Sequence, residues 1–379
     1  MRTWVLLGLR TDSTQEIPGI TRLVDGIVSA SHADDRIWDN ASLRELTPKI
    51  QELIDALLSL LSDEEKRWLM SDKKDSMSIP DEIRDRVERV INVMKASPFF
   101  RDARASPWSH LVIAYILWTR KWDDEISPSW LAIQEGLLAT PLAQQHRDKI
   151  KAQVTFMKGV IEARLLSHPG IPIEMLSLWC WQSPDVEALL TPAFIQKIQD
   201  ARSVVHFTLV DTDQTWLDIS NKRIEACWWG ENIKVTLVPA NILNYLEIKN
   251  AENSLNRGYD AVVAGGLFDY FPPKVLGWKI MPKVLNAMKK WWQWFFTNIA
   301  RPEVWVDGGA LEENGVYSTQ QWMKDMILLR WFMNWHMYHR NSDDLRKLLS
   351  NILDNILWEP SIVWITGNVT NTVTFTRKS

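Results

Sequence analysis

A chain of 379 residues with a net charge of −4 has no electrostatic pull toward nucleic acid or an anionic membrane surface. Its 46% hydrophobic and 24% charged residues are the balance of a globular protein with room for two cores of ordinary size. The two cysteines, Cys180 and Cys227, form no CxxC and join no His/Cys cluster, which excludes a disulfide framework and a structural zinc site and predicts a reduced, cytoplasmic setting.

The first ten residues hold an apolar stretch too short for a signal core, and the apolar run at 111–118 falls short of the ~20 residues of a membrane span. Neither export nor spanning is expected. Thr47 and Pro48 read as an N-cap followed by proline at the first helical position, and Ile50, Leu53, Ile54, Leu57, Leu58 and Leu61 then share one helical face. Residues 62–65 spell a capping box for a second helix, and Pro80 opens a third along Ile83, Val87, Val90, Ile91 and Met94. Residues 1–165 are therefore read as a helical N-terminal region whose leucine stripe packs within the chain.

From about residue 171 short apolar runs alternate with polar helical stretches, at 173–178, 204–210, 233–238, 261–264 and 295–298. Strands separated by helices predict a parallel sheet with crossovers. Val369, Val373 and Phe375 alternate with threonine and asparagine, which predicts an antiparallel edge strand at the C-terminal end.

In such a sheet ligands bind beyond the carboxyl ends of the strands. The first strand runs through Ser177, Leu178, Trp179, Cys180 and Trp181, where a nucleotide-binding fold needs a tight, glycine-rich turn. The second ends in Asp211, followed by Asp213; a carboxylate there accepts from both ribose hydroxyls of an adenosine ligand. Asp211 lies about thirty residues past the first turn, more than the ~20 of a dinucleotide fingerprint, which argues against a nicotinamide cofactor. Asn241 and Ile242, after the third strand, are placed to meet an adenine edge. The fourth strand ends in Gly265, Gly266 and Leu267, where the backbone can approach a ligand closely, and Asp269 and Tyr270 follow.

These segments resemble a known family. AVVAGGLFDYF is similar to the fourth-strand motif of the bacterial class I methyltransferases of extracellular factor 3-hydroxypalmitic acid methyl ester biosynthesis, and VHFTLVDTDQ to their second strand. Residues 331–340, WFMNWHMYHR, followed by Ser342, Asp343, Asp344 and Leu345, resemble a late family segment with a tryptophan and a Tyr-x-Arg, and SPFF at 97–100 resembles its pre-catalytic region. The likeness spans 97–379.

The resemblance implies a Rossmann-like seven-stranded α/β sheet over 166–379, mostly parallel with an antiparallel C-terminal strand. It also implies an enzyme that transfers a methyl group from S-adenosylmethionine to a small-molecule acceptor, a fatty-acid-type carboxylate in that family. The cofactor would lie over Ser177 to Trp181, with its ribose on Asp211, adenine beside Asn241 and methionine part near Gly265 and Gly266. Asp269 and Tyr270 would face the acceptor and carry catalysis, with Tyr338 and Arg340 completing the acceptor site. No metal is implied, and the seven histidines show no HExxH spacing.

Where the family's first turn reads LSLGCG this chain reads LSLWCW, and KKWWQWFFTN stands where a glycine-rich loop would precede the fifth strand. Trp179, Trp181, Trp291, Trp292 and Trp294 thus occupy expected glycines, in a chain with 22 tryptophans and only 15 glycines. Two readings follow. Either the chain is a catalytically inactive relative that binds or scaffolds, or a codon read as glycine in its own organism is written here as tryptophan.

Overall fold

The computed structural model describes residues 22, 48–49, 52–59, 81–95, 98–105, 141–227, 230–252, 258–301, 319–365 and 370–378. Residues 52–59 are helical with Leu53, Ile54, Leu57 and Leu58 buried, and α1 (Asp81–Met94) buries Val87, Val90 and Ile91, as their spacing predicts. The capping box at 62–65 and the apolar run at 111–118 lie outside the described residues. After α2 (Pro98–Ala105), the 27-residue helix α3 (Pro141–Ser167) leads into the sheet.

The chain then alternates β1 (Ile173–Leu178), α4 (Pro184–Leu189), α5 (Pro192–Asp200), β2 (Val205–Asp211), α6 (Gln214–Cys227), β3 (Ile233–Pro239), α7 (Ile242–Glu252) and β4 (Tyr259–Gly265). A short helix at Pro273–Val275 passes through a π-helical turn, Leu276–Ile280, into α8 (Met281–Ala287), and β5 (Met288–Ile299) follows. α9 (Thr319–Ile327), α10 (Ser342–Leu349), β6 (Ser361–Ile365) and β7 (Thr370–Thr376) complete the order.

The seven strands form one sheet in the order β3-β2-β1-β4-β5-β7-β6. The first five run parallel, while β7 pairs antiparallel with both β5 and β6. β1 and β4 are central and covered on both faces, so they are buried without alternation and mostly apolar, with the buried Asp260 paired to Arg164 and Lys289. One core packs Met157, Ile161, Val186, Phe194 and Leu217 from α3 to α6 on one face. The other packs Leu246, Met281, Val284 and Leu345 from α7, α8 and α10 on the opposite face.

Two expectations are corrected. β7 is interior rather than an edge: Thr370 and Asn371 are buried between β5 and β6, where Thr370 Oγ1 donates to Gln145 Oε1 (2.6 Å). β6, with Val363 exposed, is the edge. The loop expected before the fifth strand is part of β5, whose register against β4 jumps from Tyr259 opposite Met288 to Ala261 opposite Gln293. The extra residues bulge out, and Trp291 adopts φ 69° within the bulge.

Candidate active site

The carboxyl ends of β1, β2 and β4 meet where the strand order reverses, between β1 and β4. After β1 the chain turns through φ 58° at Trp179, 49° at Trp181 and 48° at Ser183. A Cβ in the left-handed region costs roughly 1–2 kcal/mol per residue, so glycine is the residue this turn favours. Among the described residues six non-glycines have positive φ, and Trp179, Trp181 and Trp291 are three of them. Trp292 and Trp294 are not. Trp294 is fully buried in an aromatic cluster with Phe268, Phe296 and Phe375, in ordinary extended backbone.

Asp211 lies beneath the turn. The backbone N–H of Trp181 donates to Oδ2 (3.4 Å) and that of Asp213 to Oδ1 (3.0 Å), while burial pushes the carboxyl up to about 6 against the pull of those bonds. Asp213 accepts from the N–H of Thr215 (2.8 Å) and Asn241 from that of Leu243 (2.9 Å), so both cap the helices α6 and α7. Ile242 packs partly buried against the core behind them. Ser177, Leu178 and Cys180 are buried in and just after β1, and Leu267 opens the next helical turn.

Gly266 adopts φ 79° at the end of β4, and three side chains converge on it. A Cβ there would lie 2.5 Å from Lys149 Nζ, 3.5 Å from Asp269 Oδ2 and 3.5 Å from the Trp181 ring. A Cβ on Gly265 would collide with the Gln153 carboxamide. The Trp181 indole, 5% exposed, therefore reaches from the β1 turn to the β4 end, and Trp179 packs on Tyr270 with ring centres 4.6 Å apart.

Asp269 is buried. Its Oδ1 accepts from the Asn298 side chain and from the N–H of Ile299 (2.8 Å), and burial raises its carboxyl to about 6 while Lys149 and the β5 donors lower it. The Tyr270 hydroxyl accepts from Trp335 Nε1 (2.8 Å), and burial pushes it well above its ordinary range. Tyr338 and Arg340 sit next to this segment. The Arg340 guanidinium, 1% exposed, donates to the carbonyls of Phe268 (2.8 Å) and Phe271 (2.5 Å), which pins residues 267–271 from behind. It also lies behind Tyr338, 5.6 Å from the ring centre, and floors a cleft of about 240 Å³ lined by Pro273, Trp278, Asp344 and Lys347.

The sequence reading missed His146, Lys149 and Gln153, which α3 lowers onto this site. The stretch QQHRDKIKAQ is polar on every face, so no stripe marked the side that is buried. Asp185, at the start of α4, was missed too; it accepts from Gln153 Nε2 (3.2 Å), and burial raises its carboxyl to about 6.

Order and direction of the strands define a seven-stranded Rossmann-like methyltransferase sheet with a helical N-terminal region. The chain is similar to the crystal structure of a possible exported protein from Bordetella parapertussis, with TM-score 0.52 and 12% identity over 88% of this chain and 99% of that one. It is also similar to the CurJ carbon methyltransferase (TM-score 0.41, 13% identity, 96% of this chain and 92% of that one). A third is the N-methyltransferase NodS from Bradyrhizobium japonicum in complex with S-adenosylhomocysteine (TM-score 0.32, 9% identity, 62% and 87%). No family model and no curated protein sequence matches the chain. Among the described residues no helix is long and apolar enough to cross a membrane.

The backbone of the β1 turn, the acid ending β2 and the glycines ending β4 fit a sulfonium nucleoside. The indoles of Trp179 and Trp181 do not, because Trp181 fills the space over Gly266.

Proposed function

We propose that the chain is an S-adenosylmethionine-dependent methyltransferase whose acceptor is a small molecule bearing a fatty-acid-type carboxylate. The observation that carries this reading is the left-handed turn at residues 179 and 181 above Asp211, facing Gly266. Its backbone has the shape that glycines confer, so the reading includes glycine at both positions in the polypeptide made by the native organism. Ser177 to Trp181 would then cradle the cofactor, with the ribose on Asp211 and Asp213 beside it. The adenine would lie by Asn241 and Ile242, and the methionine part by Gly265, Gly266 and Leu267.

When bound, the cofactor would supply a methyl group on a cationic sulfur. The protein's task is alignment and exclusion of water. A carboxylate acceptor is already ionised near neutral pH and needs no base. Asp269 and Tyr270, held by Asn298 and Trp335, shape the acceptor side, while Arg340 fixes their segment and Tyr338 flanks it. The second reading, a cofactor-free binding or scaffolding protein, is favoured by the indole of Trp181 in the cleft. Calorimetric titration of the full chain carrying Trp179→Gly and Trp181→Gly with S-adenosylhomocysteine separates the two. Micromolar binding supports the enzyme; no heat from the folded double variant sinks it.

A further inference from the structure

The cleft floored by Arg340 shares no lining residue with the space over Gly266, and two helical elements form its walls. One wall is the short helix at Pro273–Val275 with the π-helical turn after it, which carry Lys274 and Trp278 at i and i+4. The other is α10 with the turn that continues it, where Asp344, Lys347, Leu348 and Asn351 fall at i, i+3, i+4 and i+7 on one face. The walls touch at Gly277. A Cβ there would lie 2.9 Å from Asn351 Nδ2 and 3.5 Å from Leu348 Cδ2, and that carboxamide is itself held by the Leu348 carbonyl (3.2 Å).

The charge of the cleft is one-sided. Lys274 and Lys347 stand on opposite walls, and among the described residues neither ammonium is in an ion pair. The Arg340 guanidinium adds a third positive charge from the floor, fixed there by the carbonyls of Phe268 and Phe271. The acid in the lining, Asp344, is paired with Arg301 and accepts from the N–H of Asn341 (3.1 Å), so its charge is already met. Solvated lysines alone are ordinary, and so is a single exposed apolar residue. Trp278 joins the two features, because the indole is 72% exposed in the lining of the same cationic cleft. Unlike Trp179 and Trp181 it is not at positive φ, so its backbone gives glycine no advantage. The π turn that carries it is a rare conformation, found mostly as single turns and frequently at functional sites.

We propose that this cleft binds a small aryl phosphate: Lys274 and Lys347 take the phosphate from two sides above Arg340, and the Trp278 indole stacks on the ring. Three cations facing one paired carboxylate favour a dianion over a singly charged carboxylate. An exposed indole offers a flat ring the stacking face on which bases and other aromatics are held. The cleft encloses about 240 Å³, less than the ~300–1,000 Å³ of pockets for drug-sized ligands, so its occupant has room for one ring and its phosphate. The site stands independently of the methyltransferase reading.

The test uses the full chain without other substitutions, together with W278A and the double variant K274Q/K347Q. Each is titrated by calorimetry at pH 7.5 and low salt with phenyl phosphate, inorganic phosphate and phenol. All three substituted side chains are exposed, so the melting temperatures are expected to hold. Phenyl phosphate is expected to bind the unsubstituted chain at least tenfold more tightly than inorganic phosphate or phenol. K274Q/K347Q is expected to lose tenfold or more for phenyl phosphate, while W278A brings phenyl phosphate to within twofold of inorganic phosphate and leaves inorganic phosphate unchanged. No binding of phenyl phosphate, equal affinity for phenyl phosphate and inorganic phosphate in the unsubstituted chain, or full affinity in K274Q/K347Q overturns the site.

Discussion

The claim that positions 179 and 181 call for glycine is a claim about backbone energy, and it is testable without any ligand. Replacing Trp181 by alanine or by glycine empties the same buried site, so the cavity cost of about 3–5 kcal/mol for a lost indole is common to both variants and cancels in their difference. What remains is the Cβ. At φ 49° it costs roughly 1–2 kcal/mol, so W181G should be more stable than W181A by about that amount. Trp294 supplies the opposite sign: it is buried in the extended backbone of β5, where glycine is worse than alanine by roughly 0.5–1 kcal/mol. For a domain of this size 1 kcal/mol moves the melting temperature by about 2–4 °C. W181G is therefore expected to melt about 2–8 °C above W181A, and W294G about 1–4 °C below W294A, with urea midpoints in the same order. If W181A equals or exceeds W181G, the turn accepts a side chain and the argument for native glycine there fails.

Other outcomes follow from the charges and the pins. Asp211 has its carboxyl raised by burial from 3.8 to about 6, so the folded state holds its proton more tightly than the unfolded chain. The resulting stability is full below about pH 4 and is lost as pH rises through 6. Relative to D211N, the parent should lose on the order of 2–3 kcal/mol between pH 4 and 7 in urea titrations, and parallel curves would refute the burial argument. Arg340→Lys cannot span the carbonyls of Phe268 and Phe271 with one ammonium, and a loss of about 2 kcal/mol is expected; an unchanged melting curve would mean that residues 267–271 are held by other contacts. Tyr270→Phe removes the acceptor of Trp335 Nε1 and should cost about 1 kcal/mol while leaving S-adenosylhomocysteine affinity in the glycine-turn background within twofold. A larger affinity loss would move Tyr270 from the acceptor side to the cofactor.

The parallel half of the sheet was legible because central strands covered on both faces are written as unbroken apolar runs. IEMLSL and YDAVVAG come near that form, broken by Glu174, Ser177 and Asp260, and β1 falls at 173–178 as expected. β7 misled for the converse reason. Its threonines and asparagine look solvated in sequence, yet Asn371 donates to the Arg340 carbonyl (3.0 Å) and Thr372 to that of Val363 (2.9 Å), so polarity marked hydrogen bonding inside the sheet instead of exposure. β5 misled through the tryptophans themselves. Expected glycines at 291, 292 and 294 suggested a loop, but only Trp291 takes a left-handed conformation; the other two lie in a strand that bulges and continues.

The candidate site drew attention at its strand ends and not in its roof, and the two halves obey different rules. A strand end announces a ligand by residue type, since a turn with positive φ wants glycine and a ribose wants an acid. A roof helix announces nothing, because a polar residue on a helix is solvated by default and only tertiary placement reveals that Lys149 and His146 point inward. Once placed, they become the more informative half. Burying an ammonium and an imidazole without oxygen or nitrogen partners lowers stability, and the same helix shows, at Met157 and Ile161, that apolar residues would pack there. Burial also drives the His146 imidazole well below its ordinary range, so the ring is neutral and keeps one nitrogen as acceptor and one as donor. A neutral donor–acceptor thus sits beside a buried ammonium, with Asp269 acting on that ammonium through its charge, in a roof whose polarity only tertiary placement reveals.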